Sequence, residues 1–267
     1  MDERALIKKV AISSAKKAGR ILREGMTQDL TIFYKGDLNL VTQIDTLSEQ
    51  TIVSEIRKHF RNHQILAEEG HHYESASPYR WIIDPLDGTT NYAHRFPYFC
   101  VSIGVELEGS ILLGVIYDPV RKELFVAEKG KGATLNSKSI RVSPIKNLNE
   151  SLLVTGFAYN VRTAVNNNLN HFSHFVKKAQ AVRRMGSAAL DLCYVASGRF
   201  DGFWELNLKP WDTAAGSLIL TEAGGTTSDF SGKPFSIDRP ETLATNGKIH
   251  AEMVALLGKG KTKSIVD

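Results

Sequence analysis

A layered α/β protein is the fold class predicted by this 267-residue sequence. Three observations carry that expectation. The first twenty or so residues have the apolar spacing of an amphipathic helix. Residues from about 98 to 142 alternate short apolar runs with turn signals, as an antiparallel meander does. After about residue 150, strand-like and helix-like segments alternate, the pattern of a layered α/β arrangement.

The elements follow in chain order. Leu6, Val10, Ala18 and Leu22 mark one face of a helix running from residue 3 to about 24. TIFYKGDLNLVTQ comes next, interrupted at Lys35-Gly36-Asp37, and reads as a loop or loose hairpin. Asp45 stands before a second helix as a favoured N-cap residue, with Leu47, Val53, Ile56 and Phe60 on the expected inner face. Short strands are predicted at 64–67, ending at Glu68-Glu69-Gly70, and at 79–84, ending at Pro85, which lacks the N–H a central ladder needs. The meander comprises 98–107, 110–117, 123–128, 133–135 and 139–142. Its turns are Glu108-Gly109, Asp118-Pro119, Gly130-Lys131-Gly132 and Asn136-Ser137-Lys138. In the second half, strands at 152–155, 181–185, 201–204 and 242–245 alternate with helices near 163–178, 187–197, 212–223 and 248–257. Gly224-Gly225 supplies a helix stop. No repeat, low-complexity block or linker separates the halves. Residues 1–267 are therefore expected to form one domain, with an N-terminal half to about 145 and a C-terminal α/β half from about 146.

Composition sets the outer limits. Hydrophobic residues at 42% and charged residues at 23% describe an ordinary globular chain. Thirty-three basic against 29 acidic residues give a net charge of +4, too small to argue for nucleic acid. Lys259, Lys261 and Lys263 read as a solvated tail. Cys100 and Cys193 lie among apolar residues and make neither a disulfide framework nor a zinc spacing, so a reducing, cytoplasmic setting is expected. MDERALIKKV lacks the apolar core of a signal peptide, and no apolar run approaches the roughly 18 residues of a membrane span.

The acids are the informative feature. In WIIDPLDGTTN a buried-looking strand runs into Asp84, with Asp87 in the turn just beyond. Strand ends in α/β proteins are common ligand sites. Two carboxylates this close repel unless they are protonated, hydrated or neutralised by cations, and hard oxygen donors of this kind suit Mg²⁺. Gly88, Thr89 and Thr90 then offer backbone N–H groups able to hold a phosphate at a helix start. LAEEG ends another apolar strand at Glu68, sixteen positions before Asp84, and neighbouring strands would bring the two ends together. Asp212 opens a helix read as strongly amphipathic, and Trp211, Ala214, Ala215 and Gly216 around it imply close packing. Taken singly, these acids also fit a surface turn, a solvated acidic turn and a helix cap.

LAEEG, WIIDPLDGTTN and WDTAAGSLILTEAGG, in this order and at these separations, resemble the signature set of the inositol monophosphatase family, within the lithium-sensitive, Mg²⁺-dependent phosphatases. VTQID, NYAHRFPYFCVSIGVE and RRMGSAALDLCYVASGRFDGFWE extend the resemblance over nearly the whole chain. It implies a five-layer α-β-α-β-α sandwich with the site between the two halves, and two to three Mg²⁺ ions. Glu68, Asp84 and the Leu86 carbonyl would hold one, and Asp84, Asp87 and Asp212 a second, with a weaker third near Glu68. Thr89 would orient the attacking water and Asp45 would accept from its hydroxyl, so that Asp45, Glu68 and Thr89 form the catalytic set. Gly88, Thr89 and Thr90 would face the phosphate. Asp87, Gly186, Ser187, Ala188, Glu205 and Asp212 would face the alcohol, with Glu205 on a ring hydroxyl. Lys35 would act electrostatically from a closing loop. Hydrolysis of myo-inositol monophosphate, Li⁺ inhibition and a homodimer are the implied properties.

Other residues are set aside. His71 and His72 read as exposed loop positions, His94 and Arg95 as packing or surface positions, and Asn91, Tyr98 and Phe99 as structural. Cys100 has no sequence cue for activation. Two alternatives stay open. One is a related phosphatase acting on fructose 1,6-bisphosphate, NADP or a 3′-phosphoadenosine nucleotide. The other is a regulatory protein contacting RNA or a transcription complex, which would have no need of the complete acid set.

Overall fold

A computed structural model describes residues 2–27, 32–34 and 40–259, with the backbone alone at 32–34 and 40. Lys35 and the tail beyond Lys259 lie outside the described residues. The chain opens with helix α1 (Glu3–Gly25), the hairpin strands β1 (Ile32–Tyr34) and β2 (Leu40–Thr42), and helix α2 (Gln43–His59). Strands β3 (Gln64–Ala67), β4 (His72–Tyr73) and β5 (Tyr79–Asp87) follow, then the short helix α3 (Thr89–Ala93). The meander is β6 (Cys100–Leu107), β7 (Ser110–Asp118), β8 (Glu123–Glu128), β9 (Ala133–Leu135) and β10 (Lys138–Ser139). The second half runs β11 (Leu152–Thr155), α4 (Leu169–Val176), β12 (Ala181–Arg183), α5 (Ala188–Ala196), β13 (Gly202–Leu206), α6 (Pro210–Glu222), β14 (Thr226–Ser228), β15 (Glu241–Thr245) and α7 (His250–Lys259).

Five layers result, as expected. Among the described residues one sheet has eight strands in the order β10-β9-β8-β7-β6-β5-β3-β4, and another has five in the order β12-β11-β13-β15-β14. The larger sheet is antiparallel except where β3 runs parallel to β5. The smaller has β11 parallel to both β12 and β13, with β15 antiparallel between β13 and β14. Helices α1 and α2 cover the outer face of the large sheet, α5 and α6 lie between the sheets, and α4 and α7 pack beyond the small one.

Among the described residues three apolar cores weld the layers. Under α1 and α2 the core includes Ile7, Leu22, Ile52, Trp81 and Phe99; between the sheets it includes Phe125, Leu192, Phe203 and Ile219; beneath α4 and α7 it includes Phe175, Trp204 and Phe230. Each fully buried Ile or Leu contributes ~1.5–3 kcal/mol. Helix α6 packs closely on the large sheet where Gly104 and Gly114, paired across β6 and β7, leave room for it. A Cβ at Gly114 would strike the Ala215 backbone, and one at Gly104 the Ala214 side chain. No described helix is long and apolar enough to cross a membrane.

Four local expectations are corrected. The N-cap of α2 is Thr42, and Asp45 lies inside the first turn, where its carboxylate accepts the Thr42 N–H at 2.9 Å. Leu47 is 47% exposed, whereas Ile56 and Phe60 are buried as expected, with Ile44, Ser48, Glu49 and Ile52 also on the inner face of α2. Helix α4 starts only after Asn168, whose side chain donates to the Gly156 carbonyl at 2.7 Å and accepts from Trp204 Nε1 at 2.7 Å, holding that residue at φ +70°. Helix α6 begins two residues early, with Pro210 at its first position, and is buried on every side from Thr213 to Leu220 rather than amphipathic.

Candidate active site

The parallel register of β3 and β5 explains how the first two acids meet. Ala67 lies opposite Ile83, so Glu68 leaves its strand beside Asp84, and the Glu68 N–H donates to the Ile83 carbonyl at 3.2 Å. Strand β5 does not stop at Pro85 as predicted. It bulges between Asp84 and Asp87 and resumes its pairing with β6 at Cys100. Asp84 Oδ1 accepts the Leu86 N–H at 2.9 Å across the proline, and the bulge re-aims the two carboxylates.

Asp87 is anchored to the other half of the chain. Its Oδ2 accepts from Ser187 Oγ at 2.6 Å and from the Ala189 N–H at 2.7 Å, at the start of α5. Gly88 next to it has φ +97°, and a Cβ there would approach the Tyr98 and Gly186 carbonyls to 3.0 and 3.3 Å. Only glycine suits both demands. Thr89 Oγ lies 3.1 Å from Asp45 Oδ1 and 3.1 Å from the Leu86 carbonyl oxygen. Asp212 is the third residue of α6 rather than its cap, and one of its oxygens accepts the Lys209 N–H at 2.7 Å.

Burial and crowding raise every acid of this group for which a shift is resolved. Asp84 is pushed well above the usual carboxylate range by burial, then by the charges of Glu68, Asp87 and Asp212. Burial lifts Asp87 to about 6 against the bonds from Ser187 and Ala189. Asp212 rises to about 8 through burial and the charge of Asp87. Glu205 rises to about 8 through burial and the charge of Asp191, partly offset by Arg184. Asp45 is raised by burial and held down by its Thr42 and Thr89 bonds. Perturbed acids gathered in one cleft mark a functional site.

A cleft of about 200 Å³ is lined by Glu68, Asp84, Leu86, Asp87, Gly88, Thr89, Thr90, Gly186, Ser187, Ala188, Glu205 and Asp212. Asp45 stands behind it, reaching it through Thr89. Sequence reasoning did not single out the wall formed by Phe157, Ala158, Tyr159, Arg184 and Asn207. Phe157 to Tyr159 follow the end of β11 much as Glu68 follows β3, and that strand-end position was the available signal. A Cβ at Gly156 would run into both Glu205 carboxylate oxygens, so the glycine leaves Glu205 its place. Cys100 is fully buried with its thiol pushed up, which opposes a nucleophilic role. His71, read as a loop residue, places Nδ1 2.7 Å from Glu49 Oε1.

The donor set fits Mg²⁺. It consists of oxygen atoms alone, and like-charged acids in a buried cleft need a counter-charge. Among the described residues no three His, Cys, Asp or Glu side chains stand together as a ready-made metal-holding group. Mg²⁺ takes few protein carboxylates and completes its shell with water and phosphate oxygens.

A five-layer sandwich with a cleft of convergent acids defines the class of the protein, and comparison with known proteins gives its family. Residues 3–261 match the model of the inositol monophosphatase family. The chain is 48% identical over 216 residues to the inositol-1-monophosphatase of Synechocystis sp., covering 80% of this chain and 75% of that one. It is 42% identical over 246 residues to the Nus factor SuhB of Pseudomonas aeruginosa, covering 90% and 91%. The solved inositol monophosphatase of Anabaena (Nostoc) sp. PCC 7120 superposes with a TM-score of 0.86 at 45% identity, covering 94% of each chain. The chain belongs to the inositol monophosphatase family.

Proposed function

We propose that this protein hydrolyses phosphate monoesters of small polyols, with myo-inositol monophosphate preferred, and that Glu68, Asp84, the Leu86 carbonyl, Asp87 and Asp212 hold its Mg²⁺. The observation that carries the reading is the convergence of these acids, from three separate segments, in the cleft that Gly88–Thr90 and Glu205 also line. Residues from both halves of the chain line that cleft, which supports reading the two halves as one domain. When bound, the cations supply a nucleophilic water at neutral pH and offset the charge of the phosphoryl group.

The chain's own groups do the rest. The Thr89 hydroxyl has one proton and two acceptors at 3.1 Å. Donation to Asp45 leaves the Leu86 carbonyl free as a ligand and leaves the Thr89 oxygen lone pairs to accept from water. The water attacks phosphorus opposite the leaving oxygen, with no covalent enzyme intermediate. The N–H groups of Gly88, Thr89 and Thr90 face the phosphate. Glu205 bonds a hydroxyl of the alcohol. Thr89→Val keeps the shape and deletes the hydroxyl. Turnover is expected to fall by about 10²-fold, with the Mg²⁺ dependence nearly unmoved, in steady-state assays across an Mg²⁺ titration.

The deciding experiment is phosphate release from a panel of inositol 1-phosphate, fructose 1,6-bisphosphate, NADP and 3′-phosphoadenosine 5′-phosphate. Inositol 1-phosphate is expected to lead, EDTA to abolish release, Mg²⁺ to restore it and Li⁺ to inhibit it. The free, buried cysteines suit a reducing cytoplasm, and a homodimer is the expected form in sedimentation. A second reading has its own observation, the relatives named as Nus factors at 40–43% identity. A role in a transcription complex can coexist with hydrolysis. Absence of Mg²⁺-dependent release from every panel member would make it the primary one.

A further inference from the structure

We infer that α2 sets the distance between the two acid-bearing turns, and that Glu49 is a positioning residue for Glu68; the inference rests on the phosphatase reading above. Asp45, Ser48 and Glu49 are buried polar residues at helical spacing on the inner face of α2, beside Ile44 and Ile52. Between them they reach both acid-bearing turns, Asp45 and Ser48 the one after Asp84 and Glu49 the one after Glu68. Asp45 takes the Thr89 hydroxyl at 3.1 Å. Ser48 Oγ donates to the Pro85 carbonyl, between Asp84 and Leu86, at 2.8 Å. Glu49 Oε2 accepts the Glu69 N–H at 2.7 Å, while Oε1 accepts the His71 N–H at 3.1 Å and lies 2.7 Å from His71 Nδ1.

Glu49 is fully buried and does not line the cleft. A buried carboxyl costs several kcal/mol unless it is well hydrogen-bonded, so its bonds hold the turn as firmly as the turn satisfies the carboxyl. The Glu68 backbone is thereby gripped on two sides, by the Ile83 carbonyl through its own N–H and by Glu49 through the next one. The turn leaves the sheet here, and a rigid helix takes over from the strand ladder. Partners of this kind behind a ligand-bearing segment tune metal affinity without touching the substrate.

Glu49→Gln is the test. The amide keeps one acceptor but sets an NH₂ group against a backbone donor, breaking one side of the grip. Three measurements on the full chain report the result: Mn²⁺ binding by calorimetry without substrate, the Mg²⁺ dependence of phosphate release, and amide exchange over residues 68–71. Mn²⁺ affinity is expected to fall about tenfold or more, and the Mg²⁺ midpoint to rise by the same factor. Turnover at saturating Mg²⁺ should stay within about threefold of wild type, and the Glu69 and His71 amides should exchange faster. A purely structural role would lower the melting temperature and leave the metal midpoint in place. Ser48→Ala should shift the midpoint in the same direction by a smaller factor, and it decides the matter should Glu49→Gln fail to fold. Mn²⁺ affinity within about twofold of wild type in the folded variant overturns the inference. Failure of the phosphatase reading shows elsewhere, in a wild-type protein that binds Mn²⁺ and releases no phosphate; the calorimetric comparison still judges Glu49. Wild type that binds no Mn²⁺ overturns both.

Discussion

Asp87→Asn is expected to cut turnover by on the order of 10³-fold or more while the protein stays folded. The asymmetry follows from what each carboxylate oxygen does. Oδ2 carries the structural bonds, from Ser187 Oγ and the Ala189 N–H, and the Asn oxygen can take both of them. The amide nitrogen then replaces the remaining oxygen, and it can neither ligate a cation nor contribute a negative charge. In the metal-free protein the substitution relieves repulsion, because the charge of Asp87 weighs on both Asp84 and Asp212. The metal-free melting temperature should therefore be no lower than that of wild type. The rise in melting temperature that Mg²⁺ produces in wild type should be lost or much reduced, since stabilisation by a ligand scales with its affinity. Phosphate release and thermal melts with and without Mg²⁺ check both halves. Undiminished turnover removes Asp87 from the mechanism.

How much of this site was legible in the chain differs from residue to residue, for physical reasons. Glu68 and Asp84 were readable because each ends a short apolar run, and two such runs pair in parallel with matching ends. Asp45 was misplaced by three residues. Thr42 and Asp45 both suit a cap, and only the capping box, with the Thr42 hydroxyl accepting from the first turn and Asp45 accepting the Thr42 N–H, decides which one caps. Helix α6 was located correctly, but its apolar faces were read as one stripe. A helix between two sheets has no solvent side, and nothing local to the segment reveals the second sheet. The Asn166-Asn167-Asn168 run signals a late start for α4, but Asn168 is locked by Thr155, Gly156 and Trp204, which lie far from it in sequence. Glu49 is the extreme case. A charged residue inside a helix is assigned to the wet face by default, and only the turn at 69–71, twenty positions on, shows that it points inward. Residues that act through distant backbone groups leave no local pattern, whereas residues that end strands do.

Glu205→Gln is expected to make the protein more stable near neutral pH and a poorer enzyme for polyol phosphates. Burial and the charge of Asp191 raise Glu205 from its ordinary 4.5 to about 8, and Arg184 offsets only part of that. Between those two values the folded protein keeps a proton on Glu205 that the unfolded chain has released. Stability therefore falls as pH rises from about 4.5 to about 8 and levels off above. Glutamine carries no such dependence. At pH 7 it should gain on the order of 1–3 kcal/mol, a rise of about 2–6 °C in melting temperature, and the gain should vanish near pH 4. Activity should move the other way, and selectively. Glu205 lies against Gly156 in the cleft and, in the proposed reading, bonds the alcohol rather than the phosphate. Its replacement should lower kcat/KM for inositol 1-phosphate by about tenfold and leave p-nitrophenyl phosphate, which has no ring hydroxyl to bond, nearly unchanged. Melts between pH 4 and 9 and a comparison of the two substrates test both claims. A constant stability difference across that pH range would mean that Glu205 does not hold a proton in the fold. Equal losses on the two substrates would mean that it does not read the alcohol.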